Sequence, residues 1–215
     1  MIAFNIVFAV ILQLLISYIG VLYFNKKAEL GIRIINRYVI ADSYPYLIII
    51  STAASLIIMN FFTDKSSYEK LLISMIMTFM AVLAVTDRYA RKIPNTLILA
   101  MLFIWLVQVI LFMIIDYDYT VKYIPWCIAG FMIAGGVFLF DYFFARGGLG
   151  AGDVKMAAVL GLYLMSDRAI AAILCGIVLF ILYRIAGFAI HKASIKSSTP
   201  MAPFLFYGSI IAILI

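Results

Sequence analysis

Apolar blocks recur along this chain with short polar stretches between them, and each block is close to the ~20 residues that a membrane-crossing helix needs. Eight such blocks can be laid out, at approximately 4–24, 44–62, 69–86, 96–115, 122–144, 149–166, 168–190 and 201–215. The connections at 25–43, 63–68, 87–95, 116–120 and 191–200 are polar. The sixth block starts in a glycine-rich stretch and the eighth is short and carries Pro203. Either fits a broken or re-entrant segment as well as a full span, and membranes accept those only where protein or water satisfies the backbone. The expected fold is all-α: a polytopic membrane helical bundle of about eight transmembrane helices, forming one domain over 1–215. The first apolar run has no basic stretch before it and no small-residue cleavage site after it, so it reads as a retained span.

Composition sharpens this. With 67% hydrophobic and 12% charged residues, the chain cannot cover a water-facing surface with polar side chains. A soluble globular enzyme is excluded, as is a disordered or nucleic-acid-binding tail protein. The net charge of +6 fits basic loops beside anionic lipid better than a nucleic acid partner. With the N-terminus outside, one set of loops and flanks holds Lys26, Lys27, Arg33, Arg37, Arg88, Arg91, Lys92, Arg146, Lys155, Arg184, Lys192 and Lys196. The other set holds only Lys65, Lys70, Lys122 and Arg168, together with Asp64, Glu69, Asp116, Asp118 and Asp167. The positive-inside rule therefore puts the basic loops in the cytoplasm, in a multi-pass protein of the cell membrane. Cys127 and Cys175 lie in separate apolar blocks and read as small packing residues, not as a disulfide or ligand pair.

Ionisable groups at membrane boundaries are costly, so they are the first candidates for chemistry. Asp87 closes the third block, and Asp153 follows the glycines Gly147, Gly148, Gly150 and Gly152. Only about a dozen apolar residues separate Asp153 from the polar Ser166-Asp167-Arg168 stretch. A helix long enough to cross must begin at or before Asp153, which places both aspartates near the same cytoplasmic boundary. Two carboxylates that meet in such a bundle share a proton, one acting as base while the other polarises a carbonyl. This chemistry requires no metal and no cofactor. The glycines remove Cβ atoms beside Asp153, permitting positive φ or close approach of a substrate backbone. Asp141 reads as an interfacial residue or a partner of Arg146, Arg184 as a snorkelling cation, and His191 as solvated surface.

Gly150-Ala151-Gly152-Asp153 has the Gly-x-Gly-Asp form of membrane aspartic proteases. Asp87, followed by Ile93-Pro94-Asn95, resembles the first catalytic motif of type IV prepilin peptidases, and Lys155 matches that family's Gly-x-Gly-Asp-x-Lys pattern. The stretch Pro200-Met201-Ala202-Pro203-Phe204-Leu205 is similar to its C-terminal Pro-Phe-Gly-Pro-Phe-Leu segment. The resemblance runs from about residue 71 to the C-terminus. It implies an endopeptidase that removes the short basic leader of a prepilin or pseudopilin at the cytoplasmic face, while the substrate's hydrophobic helix stays in the bilayer. On this resemblance Asp87 and Asp153 are the catalytic pair, Gly150 and Gly152 set the second aspartate's backbone, and Lys155 is an orienting cation. Pro94, Asn95 and Pro203 shape the site.

There are departures too. The 25–43 loop holds no cysteine, and the Asn-x-x-x-x-Arg-x-Pro pattern is missing after the first block. A separate cysteine-rich cytoplasmic domain is therefore not expected, and methyltransferase activity is in doubt. The chain looks closer to the shorter peptidases of tight-adherence pili or of preflagellins. Ala202 stands where the family has glycine. A small transporter, or a noncatalytic subunit of a pilus or secretion assembly, is the alternative; a transporter places its carboxylates near the midplane.

Overall fold

The computed structural model describes residues 44–62, 67–144, 149–189 and 199–215. Among the described residues there are six helices and no strand: α1 (Tyr44–Phe62), α2 (Ser67–Ala90), α3 (Asn95–Ile115), α4 (Tyr117–Phe144), α5 (Ala151–Ala189) and α6 (Ala202–Leu214). The all-helical class holds.

The count of about eight spans does not emerge from these residues. Four helices are long and apolar enough to cross a membrane: Glu69–Ala90, Asn95–Ile115, Tyr117–Phe144 and Ala151–Gly187. The block at 4–24 and the loop 25–43 lie outside the described residues, and α6 has only thirteen residues. The sixth and seventh blocks are the two arms of α5, two helices joined without a loop through non-helical dihedrals at Met165 (φ 62°, ψ 178°). A β-type ψ at a single left-handed residue redirects the chain without a loop, so the polar Ser166-Asp167-Arg168 stretch becomes a corner.

Contacts fix the direction of each arm. Ala172 and Gly176 of α5 pack against Gly208 and Leu205 of α6, so the second arm of α5 runs antiparallel to α6. The helix directions then sort the described residues into two ends. One end gathers Tyr44, Asp87, Asn95, Asp153 and Ala202. At the other, Arg168 makes an ion pair with Glu69 at 3.3 Å, and the Tyr119 hydroxyl donates to the same carboxylate at 3.1 Å.

Local chemistry explains the boundaries. Arg91 takes a left-handed conformation (φ 51°), and its N–H closes α2 by donating to the Asp87 carbonyl at 2.9 Å. Pro94, extended at φ −68° and ψ 125°, forbids helix before it and opens α3. Asp116 ends α3, and its side chain caps α4 by accepting the Tyr119 N–H at 3.1 Å. The sequence pattern thus sets short corners that keep α2, α3 and α4 adjacent.

Packing ranks the helices. α2 is buried along most of its length, and the first arm of α5 is buried without interruption from Met156 to Leu164, so these two segments form the centre of the bundle. Phe103, Ile114, Phe140 and Leu174 face outward, as side chains against lipid do. The tightest helix pair is α4 with α5: a Cβ on Gly130 would strike the backbone of Gly161, and one on Gly161 the backbone of Gly130. Small residues allow this approach where lipid supplies no hydrophobic drive.

Candidate functional site

Asp87 and Asp153 stand at the same end of the bundle, within electrostatic reach of each other. Asp87 sits in the last turn of α2 and is only 6% exposed. Asp153 sits in the first turn of α5, close enough for the two charges to act on each other. The short Arg91–Ile93 corner, closed by the left-handed Arg91 and by Pro94, returns the chain beside Asp87 at the level of Asp153.

Each carboxylate is held by backbone N–H groups at the start of a helix. Asp87 Oδ2 accepts the Ala202 N–H at 3.0 Å, and the Met201 N–H also points at this carboxylate. Met201 caps α6 with no side-chain hydrogen bond of its own. The first N–H groups of a helix lack partners within it, so Asp87 caps α6 from a different helix. Asp153 performs the same service for its own helix: its Oδ2 accepts the Gly150 N–H at 3.1 Å, as the third residue of a capping box does. The partial positive charge of a helix N-terminus faces each acid.

The two acids differ in what remains open. Asp153 Oδ1 is buried and has no hydrogen-bond partner. A buried acceptor left in this state is costly, about 1–3 kcal/mol, unless something else donates to it. That oxygen is the point in the site where an outside donor, a water or a substrate, is accommodated at least cost.

The remaining sequence-predicted residues fall around this pair. Gly150 supplies the N–H just described. Gly152 lies against Ile93, whose Cβ would stand 3.0 Å from an added Cβ. Of the two uses the sequence allowed these glycines, left-handed φ is taken by neither; at 152 it is the close contact with Ile93 that favours glycine. Lys155 Nζ donates to Asn95 Oδ1 at 3.1 Å. The cation expected to orient an aspartate therefore ties the start of α5 to the start of α3. Pro94 opens α3, and Pro203 sits in the first turn of α6, just after the N–H groups that hold Asp87.

Some residues lie elsewhere. Asp141 is exposed on α4. Arg184 donates to Thr199 Oγ1 at 3.0 Å. Cys127 is buried and Cys175 half-buried, both as free thiols. Arg146, Gly147, Gly148, Asp42 and His191 lie outside the described residues. Among the described residues no three His, Cys, Asp or Glu side chains gather as metal ligands.

Sequence reasoning missed several neighbours. The donors from Met201 and Ala202 are backbone groups, invisible in a side-chain motif. The available signal was a helix start with proline in its first turn and no Ser, Thr, Asp or Asn at the cap, which leaves N–H groups for a distant acid. Arg88 stacks its guanidinium 4.8 Å above the Tyr44 ring, and Tyr44 meets Tyr89 edge-on at 6.3 Å. Arg91 lies within electrostatic reach of Asp87. The Tyr207 hydroxyl, one turn after Pro203, is buried beside Tyr44 without a hydrogen-bond partner.

Comparison with curated proteins and with solved structures returned no match. Residues 74–215 match the type IV leader peptidase family, a stretch that holds Asp87, Ile93-Pro94-Asn95, the Gly150–Asp153 turn and the Met201–Ala202 cap of Asp87. With two thirds of its length matched and helices suited to a bilayer, this chain is a membrane protein of the type IV leader peptidase family.

Proposed function

We propose that the chain is an aspartic endopeptidase of the Gly-x-Gly-Asp type. It removes the short basic leader of a type IV prepilin-like protein at the cytoplasmic face of the cell membrane. One observation carries this reading: Asp87 and Asp153 stand at the same end of the bundle, each held through one oxygen by a backbone N–H at a helix start, with the other oxygen of Asp153 buried and unpartnered.

The chemistry follows from two carboxylates that hold one proton between them. The ionised member draws a proton from a water lodged at Asp153 Oδ1, and that water attacks the scissile carbonyl. The protonated member donates to the carbonyl oxygen as negative charge develops there, and when the C–N bond breaks the proton taken from the water passes to the leaving amine. The backbone donors on Asp87 and Asp153 keep both groups aimed while the proton moves.

The orientation rests on charge. Among the described residues Arg88, Arg91, Lys92, Lys155 and Arg184 belong to the end that holds the aspartates, and Lys70, Lys122 and Arg168 to the other. The positive-inside rule then makes the aspartate end cytoplasmic.

The test is a cleavage gel with wild type, Asp87→Asn and Asp153→Asn, each incubated with a prepilin encoded in the same genome. Leader loss with wild type alone supports both assignments. Cleavage by either variant removes that residue from the pair.

A further inference from the structure

Beside Asp153 the bundle carries a groove of about 670 Å³ between α3, α4 and the first arm of α5. It starts at Lys155 and Asn95, the pair that joins the two helix starts, and is apolar from there inward. It follows α3 from Asn95 to Leu102 and α4 from Leu139 back to Phe131. At ~1.5 Å per residue this is roughly 10–12 Å, two helical turns. Its rims are open to the side: Leu99 on α3 is 63% exposed and Met132 on α4 is 65% exposed.

The floor has an unusual pair of glycines. Gly135 packs on Ala158, whose Cβ would stand 3.0 Å from an added Cβ. Gly136, its neighbour, would meet nothing within 4 Å. The first is explained by the contact between α4 and α5. The second leaves the groove deep and its backbone accessible, the condition for close helix approach in a membrane.

Given the peptidase reading, on which this step rests, we propose that the groove receives the substrate's own membrane helix. Side chains from the first two turns after the cut seat between α3 and α4, and their fit sets which bond lies on Asp153. Three features argue for this occupant. The groove is continuous with the helix face next to Asp153, since Val154 and Lys155 line its mouth. It opens sideways to lipid, the only direction from which a bilayer-held helix arrives. Its polar mouth and apolar bed match a substrate whose chain is polar at the cut and apolar beyond it. A volume of 670 Å³ is within the range of about 300–1,000 Å³ typical of ligand pockets. It takes the side chains of one helix face, as in helix-in-groove recognition, and not a whole helix.

Gly136 gives the test its lever. Two substrates are compared in bilayer vesicles: a prepilin with its native helix, and the same prepilin with alanine at the bulky residues of the first two turns after the cut. Wild type is expected to cut the native substrate faster. Gly136→Leu, which fills the groove from open space, is expected to cut the native substrate at least tenfold more slowly and to prefer the alanine substrate. Val137→Leu, on the outward face of α4, is expected to keep the wild-type preference. A Gly136→Leu enzyme that slows both substrates equally overturns the proposal in favour of a packing role. One that cuts both as wild type does overturns it in favour of a lipid-filled groove. Wild type that cuts neither substrate removes the peptidase reading itself.

Discussion

The Oδ2 atom of Asp87 accepts the backbone N–H of Ala202 at 3.0 Å, across 115 residues of sequence. The bond couples the last turn of α2 to the first turn of α6, and it separates two duties of one side chain. As an acceptor Asp87 holds α6; as an acid it carries the proposed chemistry.

Asp87→Asn and Asp87→Ala should therefore differ. Asparagine still offers an oxygen to Ala202, so the folded protein in detergent should keep its melting temperature within a few degrees while cleavage is lost. Alanine leaves buried N–H groups without an acceptor, at about 1–3 kcal/mol, and should melt measurably lower. Equal melting of the two variants would show that α6 does not depend on this carboxylate.

Gly152 and Ile93 should behave as a coupled pair. Gly152→Ala brings a Cβ to 3.0 Å from Ile93 Cβ and should reduce cleavage several-fold by shifting Asp153. Ile93→Gly in the same chain, which removes the Cβ that is struck, should restore much of that loss. Contacting residues typically show interaction energies of about 0.5–3 kcal/mol, so an additive double mutant would sever the two positions.

Lys155 and Asn95 make a solvent-exposed hydrogen bond. Such a contact contributes little to stability, on the order of 1 kcal/mol. Lys155→Ala and Asn95→Ala should each shift KM for the helix-bearing substrate more than they shift melting, and the double variant should add nothing beyond either alone. Independent effects would mean that the two residues serve separate tasks.

Two glycines of α4 should give opposite outcomes in thermal melting. Gly130→Ala drives a Cβ into the Gly161 backbone and should cost at least the ~1–3 kcal/mol of an overpacked core. Gly136→Ala meets nothing and should leave stability within about 0.5 kcal/mol. Similar losses in both would contradict the described α4–α5 contact.

Much of the architecture was legible because hydrophobic blocks and corner residues act locally. The 44–62 block is α1, and the boundary between α2 and α3 follows from Ile93-Pro94. That both aspartates lie toward one end of the bundle was also readable, from loop counting alone, and the motifs marked the family over nearly the extent that matches. What the sequence withheld depends on contacts between distant segments. A backbone N–H is the same in every residue, so nothing in Met201 or Ala202 names Asp87 as its acceptor. Lys155 carries a charge that suggests a carboxylate, yet Asn95 is what the start of α3 places within its reach. Gly152 suggests backbone freedom, but the side chain it makes room for, Ile93, is visible only in three dimensions. The break at Met165 was marked by the polar Ser166-Asp167-Arg168 stretch between the sixth and seventh blocks, but its left-handed dihedrals were not.

The ion pair at one end and the aspartates at the other set a thickness. Glu69 and Asp87 are separated on α2 by eighteen residues, roughly 27 Å at ~1.5 Å per residue. The first arm of α5 runs only twelve residues from Asp153 to the corner at Met165, roughly 18 Å. Both lengths fall short of the ~30 Å hydrocarbon core of a typical bilayer, yet both belong to buried segments. The lipid-facing α3 runs twenty-one residues, roughly 31 Å, and matches that core without thinning it. The aspartates therefore stand in from the rim that the outer helices define, and the water that the proposed chemistry consumes reaches them through a recess at that end of the bundle.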